Sequence, residues 1–393
     1  TNLVPYLAIA GRPEMSGTLS GALRAHGTPS AWRHLSGHAD IDQLSLFHQG
    51  RRLIATEDFA VRCDSGAISV PLSRISVLGT GAIDVGGTAT VSGDYDLSAD
   101  GDIPLRVLRP FVSAPADIEG MAVVSAALRG RSGSPDINGS VNLREVSFTM
   151  PGVDQKVTDL GGRIELDEKR IGVPELTARL DGGSVSLSGE VGLEQFRPST
   201  LSASLNATAV PLEIPEMMEA TATSRLTLSG SMDSSLVKGE VVLLDGVYYK
   251  DLKLRLVETI AQRRRPSVPP SPGADSGFAA NMRLDVALKH RDPVRVENNV
   301  ADLALAPDLH IRGTGRDIGL SGRAKVVPGG TITYLRRTFE VRKGVIDFLN
   351  PYRIEPTLDI EAVTVIDQDS ITLRLTGTNR DPVVRLASTE TAE

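Results

Sequence analysis

Six histidines, at positions 26, 34, 38, 48, 290 and 310, and the single Cys63 are the residues best suited to holding a metal or attacking a substrate. His34 and His38 stand four apart, a spacing that on a helix would let both rings share one ion. Gly37 intervenes, however, and the stretch leads into an alternating run; the glutamate that accompanies such a pair in zinc-protease helices is missing. On a strand the same spacing leaves the rings too far apart for one ion. Cys63 follows Val61 and Arg62 in a strand-like run with no histidine within a few residues, which marks a packed thiol and not a nucleophile. Glu165 and Asp167 flank Leu166 on a wet strand face, without the cleft that acid–base catalysis by paired carboxylates needs. Gly79-Thr-Gly81 and Gly86-Gly87 precede neither a Lys-Ser/Thr pair nor a helix, so they are turns or bulges and not phosphate cradles. No Gly-x-Ser-x-Gly elbow joins a buried strand to a helix. The residues imply no enzyme, no metal and no cofactor.

The elements that must carry whatever function there is are strands. Alternation with period two recurs along the chain and marks a strand with one apolar and one wet face. Val185, Leu187, Val191 and Leu193 alternate with Ser184, Ser186, Ser188 and Glu190. Leu226 and Leu228 alternate with Thr227 and Ser229, Val141 and Leu143 with Asn142 and Arg144, and Ile371, Leu373 and Leu375 with Thr372, Arg374 and Thr376. Val241, Leu243, Ile332, Tyr334, Phe339 and Val341 belong to the same apolar pattern. Apart from Val141 and Leu143, these apolar residues, fifteen in all and none of them catalytic, are the expected inward face, a groove for lipid or client.

Composition agrees. The chain has 393 residues with 38 Gly and 23 Pro, which argues against coiled coils and helical solenoids. It is 40% hydrophobic but only 4% aromatic, so its core is aliphatic. The net charge of −7, with scattered basic residues, does not suggest a nucleic-acid binder. No apolar run approaches the ~20 residues that span a bilayer. A chain that opens on Thr1 without a basic-then-apolar leader is expected to be a piece of something longer.

A two-glycine phrase repeats: Gly27 to Gly37, Gly130 to Gly139, Gly230 to Gly239 and Gly313 to Gly322, with a half copy from Gly377 to Pro382. A companion phrase, Gly86 to Gly93, matches Gly182 to Gly189. Such long repeats hold several strands each. They divide the chain into β-repeat segments at 1–120, 121–220, 221–301 and 302–393. Pro104–Phe111 and Pro211–Glu219, where alternation fails, are expected to hold a helical turn. The stretch 261–277, with four prolines and three consecutive arginines, is expected to be a mobile loop.

From Asp302 onward the phrases fall in an ordered series. Asp302-Leu-Ala-Leu-Ala-Pro-Asp-Leu-His-Ile-Arg-Gly313 leads to Gly319-Leu-Ser-Gly-Arg-Ala-Lys-Val and then to Gly329-Gly330-Thr-Ile-Thr-Tyr. Phe339-Glu-Val-Arg-Lys-Gly344-Val-Ile-Asp-Phe348, Ile354-Glu-Pro356-Thr-Leu-Asp-Ile-Glu-Ala362 and Leu375-Thr-Gly377 follow, and the series closes at Leu386-Ala-Ser388. This order resembles the C-terminal portion of the TamB family, in the AsmA-like group of envelope proteins. The resemblance implies an all-β elongated stack of strands curled into an open trough with an apolar interior, the β-taco. It implies a periplasmic protein anchored in the inner membrane, with an outer-membrane barrel of the TamA type as partner and a role in outer-membrane protein assembly and phospholipid movement.

The residue pattern points the same way. At ~12 residues per strand and turn, roughly 30 strands stacked ~4.8 Å apart would extend about 150 Å. An open apolar face of that kind needs a guest. Phospholipid acyl chains suit aliphatic walls, and nascent outer-membrane proteins could instead pair with an edge strand. An extracellular β-stack adhesin is the alternative from another class.

Overall fold

The computed structural model describes residues 2–5, 14–26, 36–64, 66–90, 92–110, 116–131, 134–149, 155–194, 197–251, 281–350, 354–366, 369–378 and 381–389. The 261–277 segment, Gly27 and His34 lie outside the described residues. The chain is all-β: the described residues form twenty-two strands, with a 3-10 turn at Leu105–Leu108. It forms two compact units, Thr1–Arg179 with Leu187–Ser199, and Leu180–Ser186 with Thr200–Glu393.

The first unit is a meander. Strands β1 (Met15–His26), β2 (Ser36–His48), β3 (Arg51–Asp64), β4 (Ala67–Val77), β5 (Gly81–Thr90), β6 (Asp94–Pro104), β7 (Ala116–Arg131), β8 (Ser134–Thr149) and β9 (Lys156–Leu166) each pair antiparallel with the next. β10 (Arg170–Leu180) pairs with β9. The 3-10 turn follows β6 and buries Val107, and Arg109 beside it donates to the Ile118 carbonyl of β7 at 3.2 Å. The sequence places this irregular piece at Pro104–Phe111, and the structure agrees.

The second expected irregular piece is absent. Between Pro211 and Glu219 the strand β12 (Arg197–Ile214) runs on to a tight turn, and β13 (Met218–Ser231) begins at once. Val210, Leu212 and Ile214 restore the alternation, and Pro211 sits opposite Thr221 just beyond a register shift that takes up the strain of a proline in the ladder.

In the second unit β12, β13 and β14 (Ser235–Tyr248) continue the antiparallel order. β14 then pairs in parallel with β15 (Arg283–His290) and β16 (Val294–Glu297), two halves of one interrupted strand that both face β17 (Ala301–Thr314). A tight turn cannot join two parallel neighbours, which sets this pairing apart from the hairpins elsewhere. From β17 the meander resumes through β18 (Ile318–Tyr334), β19 (Arg337–Phe348), β20 (Pro356–Ile366), β21 (Asp369–Thr378) and β22 (Pro382–Thr389).

The two-glycine phrase turns out to be a hairpin. Gly230, Gly313 and Gly377 each close a strand with positive φ, and a Cβ there would meet the carbonyl of the residue four further on, Ser234, Asp317 or Asp381. The hydroxyl after the glycine serves the turn in all three. Ser231 accepts from the Ser234 N–H, Thr314 from Asp317 and Thr378 from Asp381, each at 3.2 Å. The second glycine is not a turn residue: Gly239 lies within β14 and Gly322 within β18, pressed against the neighbouring backbone. Glycine tolerated inside strands lets the described strands run longer than the sequence suggests, reaching 17 residues in β18 with Gly319, Gly322, Gly329 and Gly330 within it. The companion phrase does not mark a repeat, because Gly86 and Gly87 sit inside β5 while Gly182 lies in the turn before β11 (Gly183–Glu194).

Candidate functional site

Within each unit the sheet has two faces, and among the described residues no second layer covers either. Directly opposed residues share a face, so the register shows which side chains form a continuous row. In the first unit Leu19 faces Leu44, Leu44 faces Thr56, and the row continues through Ile75, Ile83, Gly101, Val124 and Val141 to Ile164. A second row runs Val70, Gly87, Leu97, Leu128 and Ile137. Thr56 is the polar residue in the first row. Its hydroxyl, almost wholly buried, is satisfied by donating to the Arg74 carbonyl at 2.8 Å.

The second unit repeats the arrangement. Leu205, Leu226, Gly239, Val286, Ile311 and Leu320 form one row. Val294, Leu305, Val326, Gly344, Ile360, Leu375 and Val384 form another across seven strands. Here the sheet curls onto its own apolar face: Val341 and Ala362 are 0% exposed and Leu373 is 1% exposed, with no second layer over them among the described residues. They pack with Val296, Leu303, Ile332, Phe339 and Ile360, and Tyr248, Tyr334 and Val384 close on the same cluster. Burial there pushes the Tyr248 hydroxyl pKa above its usual value.

The opposite face is wet and charged. Arg323 holds Asp347 through two nitrogens at 2.6 and 3.0 Å, and Arg374 holds Asp359 at 3.2 Å. Lys289 pairs with Glu240 at 2.7 Å, and Arg129 with Asp96 at 3.0 Å. Arg131, then the Ser92 hydroxyl, hold the Asp94 carboxyl below the ordinary aspartate range. Glu165 pairs with Arg163, and Asp167 caps its turn and pairs with Arg170. These two carboxylates are therefore engaged in the strand's own surface pairing. Cys63 is half-buried on β3, opposite Gly37. Among the described residues no group of histidine, cysteine and carboxylate side chains is arranged to hold a metal.

The fifteen expected face residues fall into two classes. Ile332, Phe339, Val341 and Leu373 are buried in the cluster described above, with Tyr334, Ile371 and Leu375 packed against it. Leu243 is buried in a smaller cluster with Ala220, Ala222 and Val294, against which Val241 packs. Leu226 and Leu228, on the same face of β13, stay partly exposed. So do Val185, Leu187, Val191 and Leu193, at alternate positions of β11. The face is therefore partly exposed at β11 and β13, whereas its residues near the C-terminus are core. Of the row from Leu19 to Ile164 sequence reasoning found only Val141, because alternation is read along one strand whereas the row crosses nine of them. It also missed Val286, whose strand β15 is only eight residues long.

A family model described as the TamB C-terminal domain matches residues 169–391, more than half of the chain. No curated protein matches the chain.

Proposed function

The chain belongs to the TamB family, and on that premise we propose that the partly exposed apolar face of its sheets carries phospholipid acyl chains between the inner and outer membranes. The family is a transport and assembly module of the cell envelope that works on the periplasmic side in building the outer membrane. The observation that carries the finer reading is the aliphatic row from Leu19 to Ile164, in which the register passes from strand to strand without meeting a charge. Each buried methylene contributes about 0.8 kcal/mol wherever it lies. A row of this kind, aliphatic except at Thr56 and Gly101, holds an acyl chain without fixing it at one stop, while phosphate headgroups stay at the wet margin. Docking to a barrel of the TamA type and anchoring in the inner membrane belong to the same proposal and rest on family membership.

Photoactivatable residues at Leu187 and Leu228 test it in cells. Phospholipid adducts at both positions are expected. Adducts with nascent outer-membrane protein alone would refute the conduit and favour a groove that shelters unfolded clients.

A further inference from the structure

The turn between β18 and β19 has a backbone that its residues do not favour. Leu335 has φ 48° and Arg336 has φ 62°, both left-handed, in the tight turn that joins Tyr334 to Arg337. This geometry strongly favours Asn-Gly or Asp-Gly, because glycine carries no Cβ to clash in the left-handed region. The chain uses such residues elsewhere. The β2–β3 turn with the same two left-handed residues is Gln49-Gly50, and the turn before β11 is Asp181-Gly182. Leu78 also takes a left-handed φ at the β4–β5 turn but is followed by Gly79, so among the described residues only the β18–β19 tip holds two consecutive non-glycine residues in this conformation.

The strain leaves Leu335 62% exposed at the end of a hairpin. Arg336 and Arg337 beside it are exposed, and neither makes an ion pair or side-chain hydrogen bond with a described residue. That contrasts with the paired cations of the sheet's wet face. The base of the hairpin is fixed, because Ile332 and Phe339 are buried opposite each other in the apolar cluster and Tyr334 packs against it. The result is a rigid stem that presents one apolar side chain flanked by two guanidinium groups with no partner among the described residues. Strained backbone that persists against an easy sequence remedy points to a role at the surface.

We propose that the Tyr334–Arg337 tip is a membrane-contact point, with Leu335 entering the interfacial layer and Arg336 and Arg337 binding lipid phosphates. An aromatic–aliphatic tip with adjacent arginines has the chemistry of interfacial anchors, and guanidinium groups engage phosphate oxygens through paired N–H donors. This inference does not depend on what occupies the apolar face, and its test does not read the groove.

The doubly substituted variant Leu335→Asn, Arg336→Gly installs the residues the turn prefers and removes the proposed contact. It is expected to unfold at a higher temperature than the parent chain while losing several-fold in co-sedimentation with phosphatidylglycerol vesicles. Wild-type vesicle binding by this variant would overturn the proposal. As a direct probe, Leu335→Trp should show a blue-shifted emission component on addition of the same vesicles, compared with the parent chain. Unchanged emission would place the tip in water and overturn the proposal as well.

Discussion

Leu226 and Leu373 lie on the same apolar side of the second unit, yet their surroundings predict different responses to truncation. Leu373 is 1% exposed and packed among Val341, Ile360 and Ala362. Truncating it to alanine removes the transfer energy of its missing methylenes and leaves a cavity, at a cost of about 3 kcal/mol. Leu226 is opposed by Leu205 on one side and by Gly239 on the other, and it remains partly exposed. Its truncation loses part of the transfer term and leaves no enclosed void, so about 1 kcal/mol is expected. An aspartate separates the two sites further. Leu373→Asp buries an unpaired charge and should unfold the protein, whereas Leu226→Asp keeps its carboxylate hydrated and should leave a cooperative transition. Urea unfolding followed by far-ultraviolet circular dichroism measures all four. A cost for Leu226→Ala as large as that for Leu373→Ala would refute the reasoning, because the apolar face would then be closed at β13 too.

Three further outcomes follow from the geometry. Gly239→Ala should destabilise by roughly 1–3 kcal/mol, because its φ of 148° is poorly suited to alanine and the new Cβ would sit 2.0 Å from the Arg225 carbonyl oxygen, as chemical denaturation would measure. Thr56→Val should cost about 1–2 kcal/mol by leaving the Arg74 carbonyl without its donor at nearly constant side-chain volume, again read from denaturation midpoints. The carboxyl pKa of Asp94 is depressed in the folded state by Arg131 and Ser92, so its contribution is present above the unfolded aspartate pKa and is lost as the pH falls through the folded value. Asp94→Asn should therefore lower the melting temperature at neutral pH and flatten its fall in acid.

Alternation made the strands legible, since Ile371, Leu373 and Leu375 share a face in the structure as their spacing demands. The hairpins were legible too, though the reason was hidden. The signal was less the glycine pair than the glycine followed by a hydroxyl residue, with Ser234, Asp317 or Asp381 closing the turn four positions on. Three things escaped. The parallel pairing of β14 with β15 and β16 is encoded by no local pattern. The run from Pro211 looked irregular because a proline and a register shift mask an ordinary strand. Most consequential, alternation shows that a side chain faces inward but not what it meets there. Val341 and Leu226 look alike in sequence, yet only the curl of the sheet makes one core and leaves the other partly open. Depth depends on pairings far apart in the chain, and period-two patterning has no term for them.

Mass spectrometry of organic extracts from the purified chain, beside its Leu226→Asp and Leu187→Asp variants, tests the central claim most directly. Phospholipid that co-purifies with the parent chain and is lost from both folded variants is the predicted result. Parent chain free of phospholipid, or variants that retain it in full, would contradict an acyl-chain conduit along this face.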